Sequence, residues 1–527
     1  MSGAPTLKMP IVYPTGAEKW ILVITAISCA ILELLDTTIV NVSLREISGN
    51  VGATTTEIAW VVTAYAISNV IIIPLTSMLS DFFGRKNYFT GSVVIFTVAS
   101  LMCGLSTDLW TLVFWRFVQG LGGGGLLSTA QSIIIGAFPP EKISTANAIF
   151  GMGLILGPTF GPTLGGYITD NFSWHWIFFV NIPIGITATI LSYRYVTDRV
   201  GAVKPRRIDW WGILFLVVSI GSIQYVLEEG TAEDWFESHE ITAMTIIAVA
   251  SLTAFIIREL KIDYPAVNIR LYKNYNMIMG SIMNFLLGLM LFGTVFIFPL
   301  FVQISLGWTA TQTGMFMIPG ALCTAVAMPL VGRLLGGGVN PKTVILFGVG
   351  MTFTFVMMLA FSSPDSSEGN FYLPFVLRGF GMAFMMSPIL SLAVQGLNPK
   401  DMPQAIGLAN MIRQLGGSVG IALINVYLTN TNALVRGNMI GYINQYSDAA
   451  SERIQMFTQN FLSKGYDSVQ AAEMANRTMD GLMTKQQMLV SYNHGFFMVA
   501  CLILICVPVV FLIRYKKGTK AVVADGH

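Results

Sequence analysis

Long apolar runs separated by short polar stretches dominate this sequence. A bilayer core about 30 Å thick is crossed by roughly 20 apolar residues in a helix, and we count about fourteen such runs. The pattern predicts an all-helical membrane protein. The predicted spans, numbered 1 to 14 in chain order, are 20–43, 58–79, 88–106, 110–132, 144–169, 176–195, 210–228, 241–258, 276–301, 313–334, 343–361, 371–393, 404–427 and 493–514.

The apolar runs favour helices over strands. Residues 21–30 and 241–257 are apolar on every face, whereas membrane strands alternate over about ten residues. Glycine and proline interrupt several runs, which membrane helices tolerate because neighbouring groups satisfy the freed carbonyls. Residues 1–19 contain no short apolar core followed by a small-residue cleavage site, so we expect span 1 to be retained as a helix.

Composition agrees with a chain that lies mostly in lipid. Hydrophobic residues make up 54% of the 527 positions and charged residues only 11%, which is too apolar for a soluble protein of this size. The net charge of +2 gives no field that would favour nucleic acid. The five cysteines all lie in predicted spans, at spacings that fit neither a metal site nor a disulfide framework; they are Cys29, Cys103, Cys323, Cys501 and Cys506.

The positions of the basic residues predict the orientation of the chain. With both termini in the cytoplasm, short outer loops offer only Arg45, as the positive-inside rule requires, and an odd number of helices would break this alternation. We therefore expect a multi-pass inner-membrane protein. The basic residues on the predicted inner side are Lys8, Lys19, Arg85, Lys86, Lys142, Arg194, Arg199, Lys204, Arg206, Arg207, Arg258, Lys261, Arg270, Lys273, Arg333, Lys342, Lys400, Arg514, Lys516, Lys517 and Lys520.

A faint internal repeat predicts two six-helix halves. Arg116 and Gly120 in span 4 are echoed by Arg378 and Gly379 in span 12, as in transporters built from repeats. Spans 7 and 8 would then be inserted between the halves. The predicted segments are an N-terminal six-helix bundle at 1–196, a linker with two inserted helices at 197–275, a C-terminal six-helix bundle at 276–514 and a cytoplasmic tail at 515–527.

A long polar segment, 428–491, precedes span 14 and faces outward in this scheme. Apolar residues recur at roughly helical spacing from Asp467 to Met488. This spacing predicts amphipathic helices. They would cover the outer face of their own domain or pack against a partner protein.

Span 1 carries two carboxylates, Glu33 and Asp36, whose spacing places them on one face of a helix. Ionisable groups inside a span are costly unless they face a cavity or a partner, so both are functional candidates. They would repel each other if both were charged, and a buried carboxyl group that gains and loses a proton is what proton coupling requires. The alternative is a polar pair hydrogen-bonded to a neighbouring helix.

Three arginines lie in the central stretches of predicted spans, away from their ends. Arg116 in span 4 stays charged at any ordinary pH, so it needs a water-filled cavity or a carboxylate beside it. Its expected partner is a span-1 carboxylate or a backbone carbonyl. Arg378 and Arg413 pose the same problem in the second half. For those two, a structural clamp and a role in transport both remain open.

The turn after span 2 combines a carboxylate with a glycine and a basic pair: Asp81, Gly84, Arg85 and Lys86. Glycine permits a tight reversal. Asp81 is able to accept charge-assisted hydrogen bonds from Arg85 or to cap a facing helix, which would make a latch that opens as the halves move. A basic loop that only sets topology explains the basic pair but not Asp81.

Small residues recur every four positions along span 5 and align on one face. Such a face predicts close helix contact, and the prolines favour a bend or seal that controls access. A simple packing face is the alternative. The residues are Gly153, Gly157, Pro158, Gly161, Pro162, Gly165 and Gly166.

These motifs together resemble the major facilitator superfamily, and within it the fourteen-helix drug:proton antiporters of the EmrB/QacA group. Residues 35–42 are similar to the span-1 signature of that group, and residues 174–185 resemble its span-6 entry. Residues 116–120, 153–166 and 413–420 match its motifs in spans 4, 5 and 13. The turn after span 2 departs from the pattern at Ser77 and Phe82, which weakens the proposed latch.

The resemblance implies a proton-coupled multidrug exporter working by alternating access, with Asp36, Glu33 and Arg116 in proton coupling. Protons are the only coupling agent expected, with no other cofactor and no metal. Residues 206–209 and 234–236 and the long loop before span 14 resemble EmrB-type permeases, which implies a periplasmic adaptor and an outer-membrane channel as partners. Expected substrate-lining residues are Asn41, Trp60, Tyr65, Gln119, Asn284 and Phe285.

Other functions are less consistent with the residues. An exporter of a lipid or siderophore, or an importer of the same superfamily, remains an alternative. An ATP-driven pump or a membrane enzyme is not expected, because no Gly-Lys-Ser/Thr follows the glycines at 122–125. The four histidines also form no cluster suited to metal binding or catalysis; they are His175, His239, His494 and His527.

Overall fold

The computed structural model describes residues 14–139, 142–198, 209–263, 265–364, 366–398, 401–441 and 447–514. These residues form helices and connecting turns, with no strand among them. The helices are α1 (Gly16–Val51), α2 (Thr55–Phe83), α3 (Arg85–Gly104), α4 (Leu109–Gly136), α5 (Ile143–Asn171), α6 (Trp176–Phe179), α7 (Asn181–Tyr195), α8 (Trp210–Glu229), α9 (His239–Lys261), α10 (Tyr275–Ser305), α11 (Ala310–Gly336), α12 (Pro341–Ala360), α13 (Gly369–Ala393), α14 (Met402–Ile440), α15 (Asp448–Ser463), α16 (Ser468–Leu504) and α17 (Cys506–Leu512).

The predicted all-helical fold is confirmed, and each of the fourteen predicted runs matches one of these helices or a helix pair, apart from one or two residues at the ends of three runs. Within the described residues, 12 helical segments are long and apolar enough to cross a membrane. Helices α4 and α5 are not among those 12, but they contain 28 and 29 residues, which is enough to span a bilayer core. A count of fourteen spans is compatible with this structure.

The helices pack as two bundles with a helix pair beside them. In the first bundle α1 packs on α5, and α4 packs on α2 and α3; in the second, α10 packs on α14, and α13 packs on α11 and α12. Helices α8 and α9 pack on each other, and α8 also touches α2 and α14. The pair therefore lies against both halves.

The bundle has two ends, which we name after two glycines. At the Gly84 end, α2 turns into α3; at the Gly52 end, α1 turns into α2. Gly84 has a φ of 85°, and a Cβ there would lie 2.9 Å from Oδ1 of Asp198, so this tight reversal requires glycine. The alternation of the helices places the ends of α4, α7, α9, α11 and α13 at the Gly84 end as well.

The two halves touch along two seams. Helix α5 packs on α11 over most of its length, from Gly151 against Met328 to Thr163 against Gly314. Helix α2 packs on α14 mainly toward the Gly84 end, where Val70, Ile71 and Ile73 share a core cluster with α14. These seams bring the candidate charged residues of α1, α2, α4 and α14 together.

Some helices run further than hydropathy predicts. Helix α1 continues to Val51, α14 to Ile440, and α16 begins at Ser468, because polar residues can extend a helix beyond the apolar segment. The helix predicted from Asp467 to Met488 is therefore the first part of α16. Span 6 is interrupted at Val180, between α6 and α7.

Several predictions concern residues outside the described part of the chain. These are the basic residues Lys8, Arg199, Lys204, Arg206, Arg207, Lys400, Lys516, Lys517 and Lys520, and the tail 515–527. Arg45 belongs to α1, but its side chain is not described.

Candidate functional site

A buried ion pair joins the first and fourth helices. The Nη1 atom of Arg116 donates to Oδ2 of Asp36, and the two side chains are 1% and 0% exposed. Arg116 also donates from Nη1 to Oε1 of Gln119 at 2.8 Å and from Nε to the carbonyl oxygen of Val61 at 3.1 Å. In this structure Arg116 thus has both a span-1 carboxylate and a backbone carbonyl as partners.

The second oxygen of Asp36 is also fully hydrogen-bonded. Nε2 of Gln119 and Nδ2 of Asn181 each donate to Oδ1 of Asp36 at 2.9 Å. Asn181 donates in addition to Oγ of Ser100 at 3.0 Å. Asp36 therefore links α1 to α4 and α7 while its charge is compensated by Arg116.

Glu33, one turn before Asp36, has a different environment. It is 1% exposed, and Nδ2 of Asn69 donates to its Oε1 at 2.9 Å. No donor among the described residues reaches its Oε2. Gly123 leaves room for this side chain, since a Cβ there would lie 3.3 Å from Cγ of Glu33. Glu33 is thus a buried carboxyl group with one free oxygen.

Tyr65 contacts both Arg116 and the backbone of Glu33. The Arg116 guanidinium lies 4.1 Å from the centre of the Tyr65 ring, and the Tyr65 hydroxyl donates to the backbone carbonyl oxygen of Glu33 at 3.4 Å. A cation over an aromatic face is stabilised by the ring quadrupole. This ring therefore adds to the stabilisation of the buried guanidinium.

Two more buried arginines lie in the second half. Arg413 of α14 is 5% exposed. Among the described residues, Glu33 is the charged group that attracts it electrostatically. Arg378 of α13 is also 5% exposed, its Nε has no partner among the described residues, and its guanidinium carbon lies 5.7 Å from the Phe375 ring centre. Both arginines hold positive charge inside the bundle.

The glycine face of α5 packs directly on α1, as predicted. A Cβ at Gly153 would lie 2.8 Å from Cγ2 of Ile27, and one at Gly157 would lie 2.6 Å from Cβ of Leu34. At Gly161 it would overlap the Thr38 hydroxyl. Helix α5 is continuous through Pro158 and Pro162. Control of access by this face stays a prediction.

The basic pair after α2 binds within the first half. Nε and Nη2 of Arg85 donate to the carbonyl oxygen of Thr197 at 3.0 and 2.7 Å, and the backbone N–H of Lys86 donates to Oδ1 of Asp198 at 2.9 Å. These bonds tie the start of α3 to the chain that follows α7. Asp81 lies half-buried in the last turn of α2.

The residues expected to line a substrate site are divided among several places. Tyr65 and Gln119 belong to the cluster around Asp36 and Glu33. Asn284 is buried and donates to the carbonyl oxygen of Gly280 at 2.8 Å, and the backbone of Phe285 meets Gly416 of α14. Asn41 is exposed toward the Gly52 end, and Trp60 packs on Tyr225 of α8 with ring centres 5.6 Å apart.

Sequence reasoning assigned no role to three residues of the cluster, Asn69, Asn181 and Ser100. Asn69 is an amide within an otherwise apolar stretch of span 2, which is a signal that could have found it. Asn181 lies in the quoted 174–185 motif, but only the fold brings it to Asp36.

Two bundles of membrane-length helices with charged side chains buried inside them are typical of a membrane transporter. The model of the Major Facilitator Superfamily matches residues 26–421, and the chain belongs to this superfamily.

Several characterised relatives match over most of their length. The multidrug export protein EmrB of Escherichia coli K12 is 31% identical over 504 residues, which is 95% of this chain and 97% of that protein. The fatty acid resistance protein FarB of Neisseria gonorrhoeae is 32% identical over 92% of this chain and 94% of its own. The colistin resistance protein EmrB of Acinetobacter baumannii is 30% identical over 84% of this chain and 86% of its own.

Solved structures share the fold. The human organic anion transporter MFSD10 has a TM-score of 0.56 at 12% identity, with 93% of this chain and all of that chain covered. A bacterial homologue of the lysosomal transporter Spinster, inward-facing and occupied, has a TM-score of 0.56 at 14% identity, with 95% of this chain and all of that chain covered. The 12 apolar helices, the superfamily match and the EmrB relative together indicate a multi-pass inner-membrane protein.

Proposed function

We propose that this protein is a proton-coupled multidrug efflux transporter that exports amphipathic or cationic compounds by alternating access. The multidrug export relatives support the direction and the substrate class. The observation that carries the proposal is Glu33, a carboxyl group buried at the centre of the bundle with one oxygen free of partners among the described residues.

Glu33 suits the proton-carrying role better than Asp36. A proton on Asp36 would leave the buried Arg116 charge without its partner, which is costly. A proton on Glu33 breaks no salt bridge among the described residues, because its hydrogen-bonding partner is the neutral amide of Asn69. It removes only the longer-range attraction between Glu33 and Arg413. We therefore assign proton exchange to Glu33, and Asp36 with Arg116 to positioning α1 against α4. A role of Asp36 in proton coupling stays a prediction.

We propose that the Gly84 end faces the cytoplasm and that both termini lie there. Basic residues concentrated at this end support the orientation, since cytoplasmic loops carry excess lysine and arginine. Those described are Lys19, Arg85, Lys86, Lys142, Arg194, Arg258, Lys261, Arg270, Lys273, Arg333, Lys342 and Arg514.

The Gly52 end would then project outward. The helical platform at this end offers a surface for the adaptor and channel partners that we propose. The platform consists of the end of α14, α15 and the start of α16. Arg436 of α14 donates to Oδ1 of Asp480 of α16 at 2.8 Å, which clasps the two long helices. Exposed apolar side chains such as Leu434 and Val469 lie on its surface.

A second candidate substrate class is amphipathic carboxylic acids. The buried guanidinium groups of Arg378 and Arg413 favour it, because no carboxylate of the described residues pairs with either in a salt bridge. The relative named for fatty acid resistance points the same way. An anionic head group would satisfy either arginine.

The proposed function is tested by the variant Glu33→Gln in a host that lacks its own multidrug pumps. We expect the wild-type gene to lower susceptibility to several compounds in a panel of cationic dyes, antibiotics and long-chain fatty acids. We expect the variant to return susceptibility to the empty-vector level, because glutamine keeps the bond to Asn69 but carries no exchangeable proton. A proton uncoupler should have the same effect on the wild type.

A matched control is Glu57→Gln, since Glu57 is an exposed carboxylate at the start of α2 far from the cluster. It should export as the wild type does. Protection that persists in Glu33→Gln, with its sensitivity to the uncoupler unchanged, would remove Glu33 from the mechanism. Protection by the wild type against fatty acids alone would select the second substrate class.

A further inference from the structure

A small cavity lies between α2, α4 and α14 toward the Gly84 end, apart from the charge cluster. Its volume is about 10 Å³, which is room for one water molecule. Six of its seven lining residues carry a hydroxyl group. The lining residues are Thr76, Ser77 and Ser80 of α2, Ser128, Thr129 and Ser132 of α4, and Pro403 of α14.

One wall group is an unsatisfied hydroxyl. Thr129 is 2% exposed, and its Oγ1 has no hydrogen-bond partner among the described residues. A buried hydroxyl without a partner is unfavourable, and buried water is the usual remedy. We therefore expect a water molecule in this cavity, hydrogen-bonded to Thr129.

The cavity lies on the same seam as Glu33. Tyr65, Asn69, Thr76 and Ser80 occupy one face of α2, and Asn69 donates to Glu33. About 10 Å of helix separates Asn69 from Thr76. Ile72 fills part of that interval, since its Cβ lies 3.1 Å from the position a Cβ would take on Gly124 of α4. A polar path from Glu33 toward the Gly84 end is thus interrupted by one apolar turn.

The halves are closed beside the cavity. Nδ2 of Asn410 of α14 donates to Oε1 of Gln131 at 2.9 Å and to Oγ of Ser128 at 3.3 Å, both on α4. This cross-half contact leaves space for water but none for an organic compound. A proton carried by water could therefore pass at this place, whereas the transported compound could not.

We propose that this hydroxyl-lined cavity is a water site through which the transporter releases its proton at the Gly84 end. The inference rests on the proposed function, because it requires Glu33 to carry the proton. The Glu33 carboxylic acid transfers its proton to water and remains as a carboxylate. The hydronium charge then passes along hydrogen bonds of water and hydroxyl groups, beyond Ser80 and Asp81, to bulk water.

The apolar turn at Ile72 and Ile73 prevents a continuous leak. Water reaches Glu33 from the cavity only when α2 shifts against α4, so release is tied to the movement of the halves. The seam of α2 with α14 moves in the same step because α14 contacts both α2 and α4.

The test uses purified full-length protein in liposomes that contain the pH indicator pyranine, with ethidium as the transported probe. Two rates are measured: ethidium exchange at equal pH on both sides, and ethidium transport driven by a pH gradient together with the proton flux. Thr129→Val removes the hydroxyl at nearly constant volume. We expect it to slow gradient-driven transport and proton flux about tenfold while exchange stays within about twofold of the wild type.

Thr352→Val is the matched control, because Thr352 is a buried threonine of α12 that donates to the carbonyl oxygen of Gly348, far from the cavity. It should match the wild type in both rates. Ser132→Leu, which fills the cavity, should reproduce the defect of Thr129→Val and covers the case in which that variant folds poorly.

The proposal is overturned if Thr129→Val and Ser132→Leu drive ethidium and protons at the wild-type rate, or if exchange and gradient-driven transport fall equally. A wild-type protein that moves ethidium without a pyranine signal, or moves none, counts against the proposed function instead.

Discussion

At the scale of single residues, two carboxyl groups one helical turn apart have unlike partners. Asp36 is bound by a guanidinium and two amides, whereas Glu33 is bound by one amide. The spacing of Glu33 and Asp36 predicts that they share a helix face, and Arg116 is predicted to need a carboxylate. Which carboxylate it takes depends on side chains of α2, α4 and α7 that meet only in the fold, so the division of roles could not be predicted.

The Asp36–Arg116 pair makes a prediction about stability. Asp36→Leu should lower the free energy of unfolding by about 3–5 kcal/mol, because it leaves a buried guanidinium without its partner. The double variant Asp36→Leu with Arg116→Met should be less destabilised than Asp36→Leu alone, since no buried charge remains. Thermal unfolding of the wild type, Asp36→Leu and the double variant in detergent measures this, and a double variant no more stable than Asp36→Leu would contradict it.

At the scale of helices, the apolar segments were predictable and their polar continuations were not. Hydropathy shows where a helix must lie in lipid, which is why all fourteen runs fall in helices. It carries no signal for the stretch of α14 beyond the apolar residues, where ordinary helix propensity and contacts with α16 decide. The interruption at Val180 depends likewise on packing around Asn181.

The contact between α5 and α1 makes a prediction at this scale. Gly161→Ala should lower the free energy of unfolding by about 1–3 kcal/mol, because the added methyl group would overlap the Thr38 hydroxyl. It should also impair export, since α1 carries both carboxylates.

The matched control is Gly91→Ala in α3, where a Cβ would meet nothing within 4 Å. That variant should be as stable as the wild type or slightly more stable, because alanine favours helix over glycine. Equal unfolding temperatures for the two variants would show that the glycine face does not set the distance between α1 and α5.

At the scale of the whole molecule, the halves meet along a long seam of α5 with α11 and a shorter one of α2 with α14. The repeat in the sequence predicts two halves but not where they touch, because contact between halves depends on the conformational state. Among the described residues, the side chain of Asn410 donates hydrogen bonds from the second half to the first at the Gly84 end.

Asn410→Ala should open the Gly84 end more often. It removes two hydrogen bonds, worth together about 1–3 kcal/mol. Spin labels on exposed positions Asn87 and Val339, in a background without the native cysteines, would report the distance between the halves at this end. We expect longer distances to gain population, and an unchanged distribution would show that Asn410 does not hold the halves together.

Helix α14 carries this contact at one extremity and the Arg436 clasp to Asp480 at the other. Its 39 residues span about 58 Å, roughly twice the bilayer core. A rod of that length transmits tilt, so each opening at the Gly84 end would swing the platform at the Gly52 end by a matching amount. A partner protein bound to that platform would therefore be moved in each transport cycle, although it contacts neither the drug nor the proton.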